Sequence, residues 1–154
     1  PIPLAAASSG IASSGRIVLA SARARGHLPL RDPSHAVRLN EVVDTALALA
    51  VEQDADAALV LMSDLPLLTP HDLDELLAGD APLTLGPDHA GAGTNALVVR
   101  PPDLMPTCFG DAHSFRLHQA RAAALQYEVR VVVTPGIAGD VDTAEDYAQL
   151  RRRD

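Results

Sequence analysis

A run of six consecutive apolar residues, 57–62 (AALVLM), lies near the middle of the chain. It lacks the alternation of polar and apolar residues that is typical of a strand with one face in solvent, so it predicts a short strand covered on both faces. A strand of this kind requires other elements packed on each side of its sheet. The sequence SDLP follows at 63–66 and places a carboxylate, Asp64, at the carboxyl end of the predicted strand.

Strand-like and helix-like segments alternate along the rest of the chain. Leu39–Glu52 has apolar residues at helical spacing with Asn40 near its start, and Thr69 followed by Pro70 predicts a second helix that ends before Gly79. Further strands are predicted at 16–21, 82–85, 95–100 and 129–134, and further helices at 114–125 and 143–152. The alternation predicts an α/β fold in three layers with a mostly parallel sheet, as a single domain over residues 1–154.

Composition supports a folded domain and excludes several classes of protein. Of the 154 residues, 47% are hydrophobic and 21% are charged, which is sufficient for an apolar core. The net charge of −8 argues against a nucleic-acid-binding protein, which carries a basic face. The single cysteine, Cys108, excludes an internal disulfide and is interpreted as a packed small residue. No apolar stretch approaches the roughly 20 residues of a membrane helix, so we expect a cytoplasmic protein without a membrane partner.

Carboxylates occur at the ends of two predicted elements. Asp64 follows the buried strand, and Asp140 and Asp142 precede the predicted last helix. Carboxylate oxygens in such positions suit a divalent cation that bridges phosphate oxygens. Structural roles fit the same residues, with Asp64 as a turn former and Asp142 or Thr143 as a helix cap.

A glycine-rich segment, 86–95 (GPDHAGAGTN), joins two predicted strands. Its glycines allow a close approach of the backbone to a ligand, and Thr94 adds a hydroxyl and an amide. A simple glycine-rich hairpin loop is the alternative. Because ligands of α/β folds bind at the carboxyl ends of strands, we expect this loop, Asp64 and residues 140–142 to share one rim of the sheet.

The segment 109–118 (FGDAHSFRLH) opens a predicted helix. Unpaired N–H groups at a helix start form an anion site, with Ser114 as a donor and His118 one turn further on the same face. The alternative is a serine cap beside a partly exposed histidine. All 12 basic residues are arginine, so bound anions must be held by Arg, by backbone N–H groups or by a metal ion.

In chain order these segments resemble the 2-phospho-L-lactate or phosphoenolpyruvate guanylyltransferase family of coenzyme F420 biosynthesis. The resemblance rests on DLP at 64–66, GPD and GAGTNAL within 86–97, FG, SF and H within 109–118, and DVDT at 140–143, and it covers roughly residues 17–150. It implies a Rossmann-like nucleotidyltransferase fold of the sugar-nucleotide-transferase type. It also implies Mg²⁺-dependent transfer of GMP from GTP to 2-phospho-L-lactate, phosphoenolpyruvate or 3-phosphoglycerate, with release of pyrophosphate.

The resemblance assigns roles to individual residues. Asp64 and Asp142 are the implied catalytic pair that holds Mg²⁺, with Asp140 as a further metal ligand. The implied nucleotide-side residue is Asn40, and the implied substrate-binding residues are Asp88, Thr94, Asn95, Gly110 and Ser114. One extra residue after Gly110 leaves His113 as the alternative to Ser114. A downstream enzyme of the F420 pathway is a candidate partner, because a small acid linked through a phosphoanhydride is labile.

The N-terminal part departs from the family pattern. A basic segment that resembles Lys-Ser-Arg-Leu is expected after residues 3–7, but the polar stretch 8–15 follows instead and is typical of a linker. We therefore expect further segments near the N-terminus that this sequence lacks. Two other readings are a related nucleotidyltransferase with another base or acceptor, and a nucleotide-binding module without catalysis.

Overall fold

A computed structural model describes residues 9–13, 20–21, 24, 27–31, 38–141 and 148. The helices and strands with defined bounds, in chain order, are β1 (Gly10–Ser13), β2 (Leu28–Arg31), α1 (Leu39–Glu52), β3 (Ala58–Leu61), α2 (Pro70–Leu77), β4 (Leu83–Pro87), β5 (Thr94–Val99), α3 (Ser114–Ala124), β6 (Val129–Val131) and α4 (Pro135–Ala138). Within these ranges, no helix has the length and apolar character needed to cross a membrane.

The described strands form two sheets. The larger sheet has the strand order β3-β5-β4-β6, and the smaller one pairs β1 with β2 in parallel. In the larger sheet β4 and β6 are parallel, whereas β5 is antiparallel to both β3 and β4. Three of its four described strands therefore point in one direction and β5 is reversed. The predicted α/β fold with mostly parallel strand directions is confirmed, in the form of a mixed sheet.

Both faces of the larger sheet are covered by apolar side chains. Alternate residues of β5 enter two cores: Leu97 and Val99 pack with α1 and α3, and Ala96 and Val98 pack with α2 and α4. β3 is divided in the same way, and its residues are half-buried because it lies at one edge of the described sheet. The prediction that this apolar strand is covered on both faces is confirmed.

The predictions for the N-terminal part were wrong where the structure tests them. Ala20 and Ser21, predicted to end a strand at 16–21, have helical conformation, and residues 16–19 lie outside the described ranges. β1 lies instead within the stretch 8–15 that was interpreted as a linker. Its backbone pairs with β2, with Gly10 opposite Leu28, and this pairing outweighs the weak strand propensity of Gly and Ser.

The predicted strand 129–134 is shorter than expected, because a four-residue helix follows it. β6 ends at Val131, and Thr134 then caps α4 by accepting the N–H of Ile137, with Pro135 at the first helical position. The other predicted strands and helices up to residue 125 agree with the observed bounds within two residues. The predicted last helix, 143–152, lies outside the described residues except for position 148, which is helical.

A buried carboxylate, Asp72, holds the start of α2. The backbone N–H and the hydroxyl of Thr69 each donate to Asp72 Oδ2 at 2.7 Å, and the Asp72 N–H donates to the Thr69 hydroxyl at 3.3 Å. Thr69 followed by Pro70 predicted this helix start from the sequence, and the structure adds the contacts of Asp72. Hydrogen bonds from the side chains of Thr134 and Thr69 lower the pKa of Asp72, so this carboxylate also ties α2 to α4.

Asp72→Asn is expected to lower the free energy of unfolding by about 1–3 kcal/mol at pH 7, because the amide cannot accept these hydrogen bonds as a carboxylate does. Since the pKa of Asp72 is lowered from 3.8 in the folded protein, its contribution is present above that value and is lost as pH falls through the folded pKa. Urea unfolding of both proteins at pH 7 and below pH 4 measures this, with Asp74→Asn on the exposed face of α2 as the control. A difference between wild type and Asp72→Asn that does not shrink at the lower pH contradicts the assignment.

Candidate functional site

Three segments from different parts of the chain meet at one rim of the larger sheet. Asp64 follows the carboxyl end of β3, and its backbone carbonyl accepts the N–H of Val141 at 3.1 Å. His89, in the loop between β4 and β5, places Nδ1 3.8 Å from Asp140 Oδ1. The structure therefore brings together Asp64, the glycine-rich loop and residues 140–141, as the strand directions predicted.

The carboxylates at this rim fit a divalent cation. Asp140 Oδ1 is buried and has no hydrogen-bond partner among the described residues, since the distance to His89 is too long for a hydrogen bond. A buried carboxylate oxygen without a donor costs free energy unless a cation neutralises it. The Asp64 side chain is exposed, and the Asp64 backbone carbonyl is bonded to Val141, the residue after Asp140. Carboxylates supply the hard oxygen ligands that Mg²⁺ takes, together with water and phosphate oxygens.

The described residues supply only part of a metal-binding set. Within them, no group of three or more His, Cys, Asp or Glu side chains is close enough to hold an ion. Asp142, the second implied catalytic ligand, lies outside the described residues. Asp64 and Asp140 are therefore the two candidate ligands that the structure describes.

Asp88 shapes the glycine-rich loop through its own carboxylate. Oδ1 accepts the N–H of Ala92 at 2.8 Å, and Oδ2 accepts the N–H of Gly93 at 2.7 Å. A Cβ at Gly93 would lie 2.8 Å from Asp88 Oδ2, so the loop requires glycine there. Asp88 was predicted to bind substrate, and the structure shows both of its oxygens bonded to the backbone of its own loop.

The N-terminus of α3 packs against the same loop. The N–H of Phe115 donates to the carbonyl of Ala92 at 3.0 Å, and the N–H of Ser114 donates to the carbonyl of Asp111 at 3.0 Å. The prediction of an anion site built on unpaired N–H groups is wrong for these first two amides, because protein carbonyls occupy them. The Ser114 hydroxyl lies at the same helix start.

Ser114, Thr94 and His118 form a buried chain of hydrogen bonds. The Ser114 hydroxyl donates to Thr94 Oγ1 at 3.2 Å, and Thr94 Oγ1 lies 3.0 Å from His118 Nδ1. On the other side of the ring, the backbone N–H of Cys108 donates to His118 Nε2 at 2.8 Å. His118 has no exposed surface, and Thr94 and Ser114 are buried. The alternative of a partly exposed histidine is therefore wrong, and Ser114, rather than the exposed His113, contacts Thr94.

The environment of His118 keeps its imidazole neutral. Burial lowers the pKa of His118 to about 4, and the nearby Arg121 guanidinium acts in the same direction. The ring packs edge-on against Phe109, with centroids 5.1 Å apart. Burial also raises the pKa of the Cys108 thiol, which agrees with its interpretation as a packed residue, since a catalytic cysteine needs a lowered pKa.

The other implied site residues have structural contacts of their own. Asn95 is buried and donates from Nδ2 to the carbonyl of Ile137 at 3.0 Å, which fixes α4 next to β5. Gly110 has φ +85°, and a Cβ there would lie 3.3 Å from the Cβ of Leu39. The turn at Gly110 therefore contacts the start of α1, where Asn40 is half-buried.

Sequence reasoning missed two contacts of this site. It gave no role to His89, and it did not place the Cys108 backbone next to His118. The position of His118 four residues after Ser114 was the available signal, since it puts both side chains on one face of α3. No pattern in the sequence indicated the partner of the second ring nitrogen.

The family described as guanylyl transferase CofC-like matches residues 11–151. A phosphoenolpyruvate guanylyltransferase of Rubrobacter xylanophilus is 40% identical over 136 residues, which are 86% of this chain and 65% of that protein. The corresponding protein of Sphaerobacter thermophilus is 37% identical, over 86% of this chain and 64% of its own length. A 2-phospho-L-lactate guanylyltransferase of Haloarcula marismortui is 36% identical, over 73% of this chain and 52% of its own length. The chain thus spans a little under two thirds of the first two relatives.

Solved structures share the fold. A protein from Desulfovibrio desulfuricans G20 assigned to the nucleotide-diphospho-sugar transferases superposes with a TM-score of 0.68 at 20% identity, over 97% of this chain and 68% of its own. CMP:2-keto-3-deoxy-manno-octonic acid synthetase superposes with a TM-score of 0.65 at 16% identity, over 96% of this chain and 80% of its own. These likenesses concern the fold, and they agree with the predicted nucleotidyltransferase architecture.

Proposed function

Since this chain belongs to the guanylyl transferase CofC-like family, we propose that it transfers GMP from GTP to the phosphate of a small phosphorylated carboxylic acid, with release of pyrophosphate, in coenzyme F420 biosynthesis. The names of its relatives favour phosphoenolpyruvate or 2-phospho-L-lactate as the acceptor. 3-Phosphoglycerate has the same pair of anionic groups and is a third candidate. The product is a phosphoanhydride of a small acid, and we propose that it passes to the downstream enzyme of the pathway.

The observation that carries this proposal is the Ser114–Thr94 hydroxyl pair beside the glycine-rich loop. Both side chains are buried, and the loop and the start of α3 are joined by the Phe115–Ala92 backbone hydrogen bond. The Ser114 hydroxyl donates to Thr94 Oγ1. Because the Cys108 N–H donates to His118 Nε2, the ring proton lies on Nδ1, 3.0 Å from Thr94 Oγ1, and the proton of Thr94 is free to bind an anionic oxygen. We assign the phosphate or carboxylate of the acceptor to this position, with Gly110 at its edge and Asn40 on the nucleotide side.

Charge neutralisation is the main requirement of this reaction in an acidic protein. The chain has a net charge of −8, and both substrates are polyanions. We propose that Asp64 and Asp140, with Asp142, hold Mg²⁺, which when bound supplies positive charge to the phosphate oxygens. His89, whose Nδ1 lies 3.8 Å from Asp140 Oδ1, is a described side chain able to add an N–H donor at this rim.

The bond changes need no strong general base. An ionised oxygen of the acceptor phosphate attacks the α-phosphorus of GTP, a new P–O–P bond forms, and the bond between the α-phosphorus and its bridging oxygen to the β-phosphorus breaks. The electron pair leaves with pyrophosphate. Because the nucleophile is already ionised at pH 7, orientation and charge stabilisation supply most of the barrier reduction. We propose that the buried residues Thr94 and Ser114 orient the acceptor for this attack.

The experiment that tests the proposal measures pyrophosphate release by the protein with GTP, Mg²⁺ and each of the three acids separately. We expect turnover with GTP and one preferred acid, and little turnover with CTP or ATP. A preference for CTP or ATP would indicate a related nucleotidyltransferase with another base. Thermal stabilisation by GTP without turnover for any acid would indicate a nucleotide-binding module and would contradict the proposal.

Thr94→Val is expected to raise the KM for the acceptor about tenfold or more while leaving the KM for GTP within about twofold, because only the acceptor loses a buried hydroxyl donor. Steady-state kinetics with each substrate varied in turn measures this. Thr84→Val is the matched control, since Thr84 Oγ1 on β4 is buried without a hydrogen-bond partner among the described residues. Equal effects of the two substitutions on the acceptor KM would show that the Thr94 hydroxyl does not bind the acceptor.

A further inference from the structure

The Thr94 hydroxyl is fixed by two donors. The Ser114 hydroxyl donates to Thr94 Oγ1 at 3.2 Å, and His118 Nδ1 lies 3.0 Å from the same oxygen. A hydroxyl oxygen has two acceptor positions and one proton, so both acceptor positions are filled and the proton must point in the third direction. Among the described residues, no acceptor receives it.

The orientation of His118 is set from its far side. The backbone N–H of Cys108 donates to Nε2 at 2.8 Å, so Nε2 carries no proton and the neutral ring carries its proton on Nδ1. That N–H can only donate. Thr94 Oγ1 lies 3.0 Å from Nδ1, and the Ser114 backbone is a second hydrogen-bond partner of the ring. One backbone amide thereby determines the tautomer of His118 and, through it, the direction of the Thr94 proton.

His118 is not placed to act on a substrate itself. It has no exposed surface, and its single lone pair is used by the Cys108 amide, so it has no means of accepting a proton from a ligand. A packing role alone would require neither ring nitrogen, and the contact with Phe109 would suit an apolar ring equally well. The two hydrogen bonds therefore point to a role exerted through Thr94.

We propose that His118 is a positioning residue of the acceptor site, which holds the Thr94 hydroxyl so that its proton points at an anionic oxygen of the phosphorylated acid. The inference rests on the proposed function and adds a residue to it. An oriented donor is worth more than a rotating one, because no conformational freedom is lost when the anion binds.

Two substitutions separate the two hydrogen bonds of the ring. In His118→Gln the side-chain oxygen can reach the position of Nε2 and keep the Cys108 amide bonded, but the donor to Thr94 is lost. In His118→Asn the amide nitrogen takes the position of Nδ1 and keeps the donor to Thr94, but the acceptor for Cys108 is lost. Val98→Ala, in the core on the opposite face of the sheet, serves as a control for loss of stability alone.

The test measures the dissociation constant for phosphoenolpyruvate and for 2-phospho-L-lactate by calorimetry without nucleotide, together with the KM values for acid and GTP. We expect His118→Gln to weaken acid binding and raise the acid KM about tenfold, and His118→Asn to change them less than about threefold. The GTP KM should stay within about twofold in both variants and in Val98→Ala. In a Thr94→Val background, His118→Gln should add less than about twofold, since the two residues act as one unit.

Three results would overturn the inference while leaving the proposed function intact. These are acid binding of wild-type strength in His118→Gln, equal losses in the Gln and Asn variants, and independent, additive effects of His118→Gln and Thr94→Val. A wild-type protein that neither binds nor turns over any of the acids overturns the proposed function, and the inference with it. The ¹⁵N chemical shifts of the imidazole give a reading without substrate: a proton on Nε2 instead of Nδ1 would also overturn the inference.

Discussion

Asp64→Asn is expected to lower the rate of guanylyl transfer about 100-fold, at the upper end of the loss caused by substitutions that surround a metal site, with little change in the temperature of unfolding. Asp64 is exposed at the carboxyl end of β3, and its side chain has no hydrogen bond to a described residue that the fold would lose. Its backbone carbonyl, which accepts the Val141 N–H, is retained in the variant. The substitution therefore removes a negative charge at the rim and leaves the rim in place.

Asp56→Asn is the matched control for this prediction. Asp56 is also exposed, but it precedes β3 and lies at the opposite end of the same strand. Pyrophosphate release at saturating GTP, measured over a range of Mg²⁺ concentrations, should be normal in Asp56→Asn and strongly reduced in Asp64→Asn. Turnover of wild-type magnitude in Asp64→Asn would show that the carboxylate is a turn former and not a ligand.

Gly136→Ala is expected to lower the free energy of unfolding by about 3 kcal/mol, at the upper end of the cost of overpacking. A Cβ at this position would overlap Asp72 Oδ2 and lie 2.9 Å from the backbone carbonyl of Leu67. The carbonyl cannot move without displacing its segment, and the Asp72 carboxylate is held by Thr69. α4 must therefore shift, and Asp140 follows two residues after its end.

Gly79→Ala provides the comparison. Gly79 has φ +74° and nothing within 4 Å of an added Cβ, so the cost is limited to the left-handed backbone conformation, about 1 kcal/mol. Urea unfolding of the two variants should show the larger loss in Gly136→Ala. Gly136→Ala should also lower turnover in conditions where it remains folded, since Asp140 is displaced. Equal losses of stability would mean that α4 can move without cost.

The parts of the fold that the sequence predicted well carry their own local signals. The apolar stripe of Leu39–Glu52 defines α1, and Thr69 with Pro70 defines the start of α2, because capping chemistry acts within four residues. β1 has no such signal, and α4 has only the same Thr-Pro start, at Thr134 and Pro135. β1 depends on pairing with β2, which is distant in sequence, and α4 has four residues, too few to show a helical period.

The candidate site likewise has features that the sequence predicted and features that it did not. The strand directions predicted that Asp64 and Asp140 would lie near one rim, since the ends of elements follow from topology. The contacts that a side chain makes in the folded protein could not be predicted from its position in the sequence. Asp88 and Asn95 looked like ligand contacts, yet Asp88 bonds to its own loop and Asn95 holds α4. Hydrogen-bond partners of this kind depend on backbone geometry, which residue spacing alone does not give.

We propose that this chain transfers a guanylyl group from GTP to the phosphate of a small acid. The most direct measurement supplies GTP labelled in its α-phosphate, Mg²⁺ and phosphoenolpyruvate or 2-phospho-L-lactate, and follows the label by mass spectrometry. We predict that the label appears in a phosphoanhydride of GMP and the acid, with unlabelled pyrophosphate formed in equal amount. Label that stays in GTP, or appears only in free GMP, with each acid and in the presence of Mg²⁺ would contradict the claim.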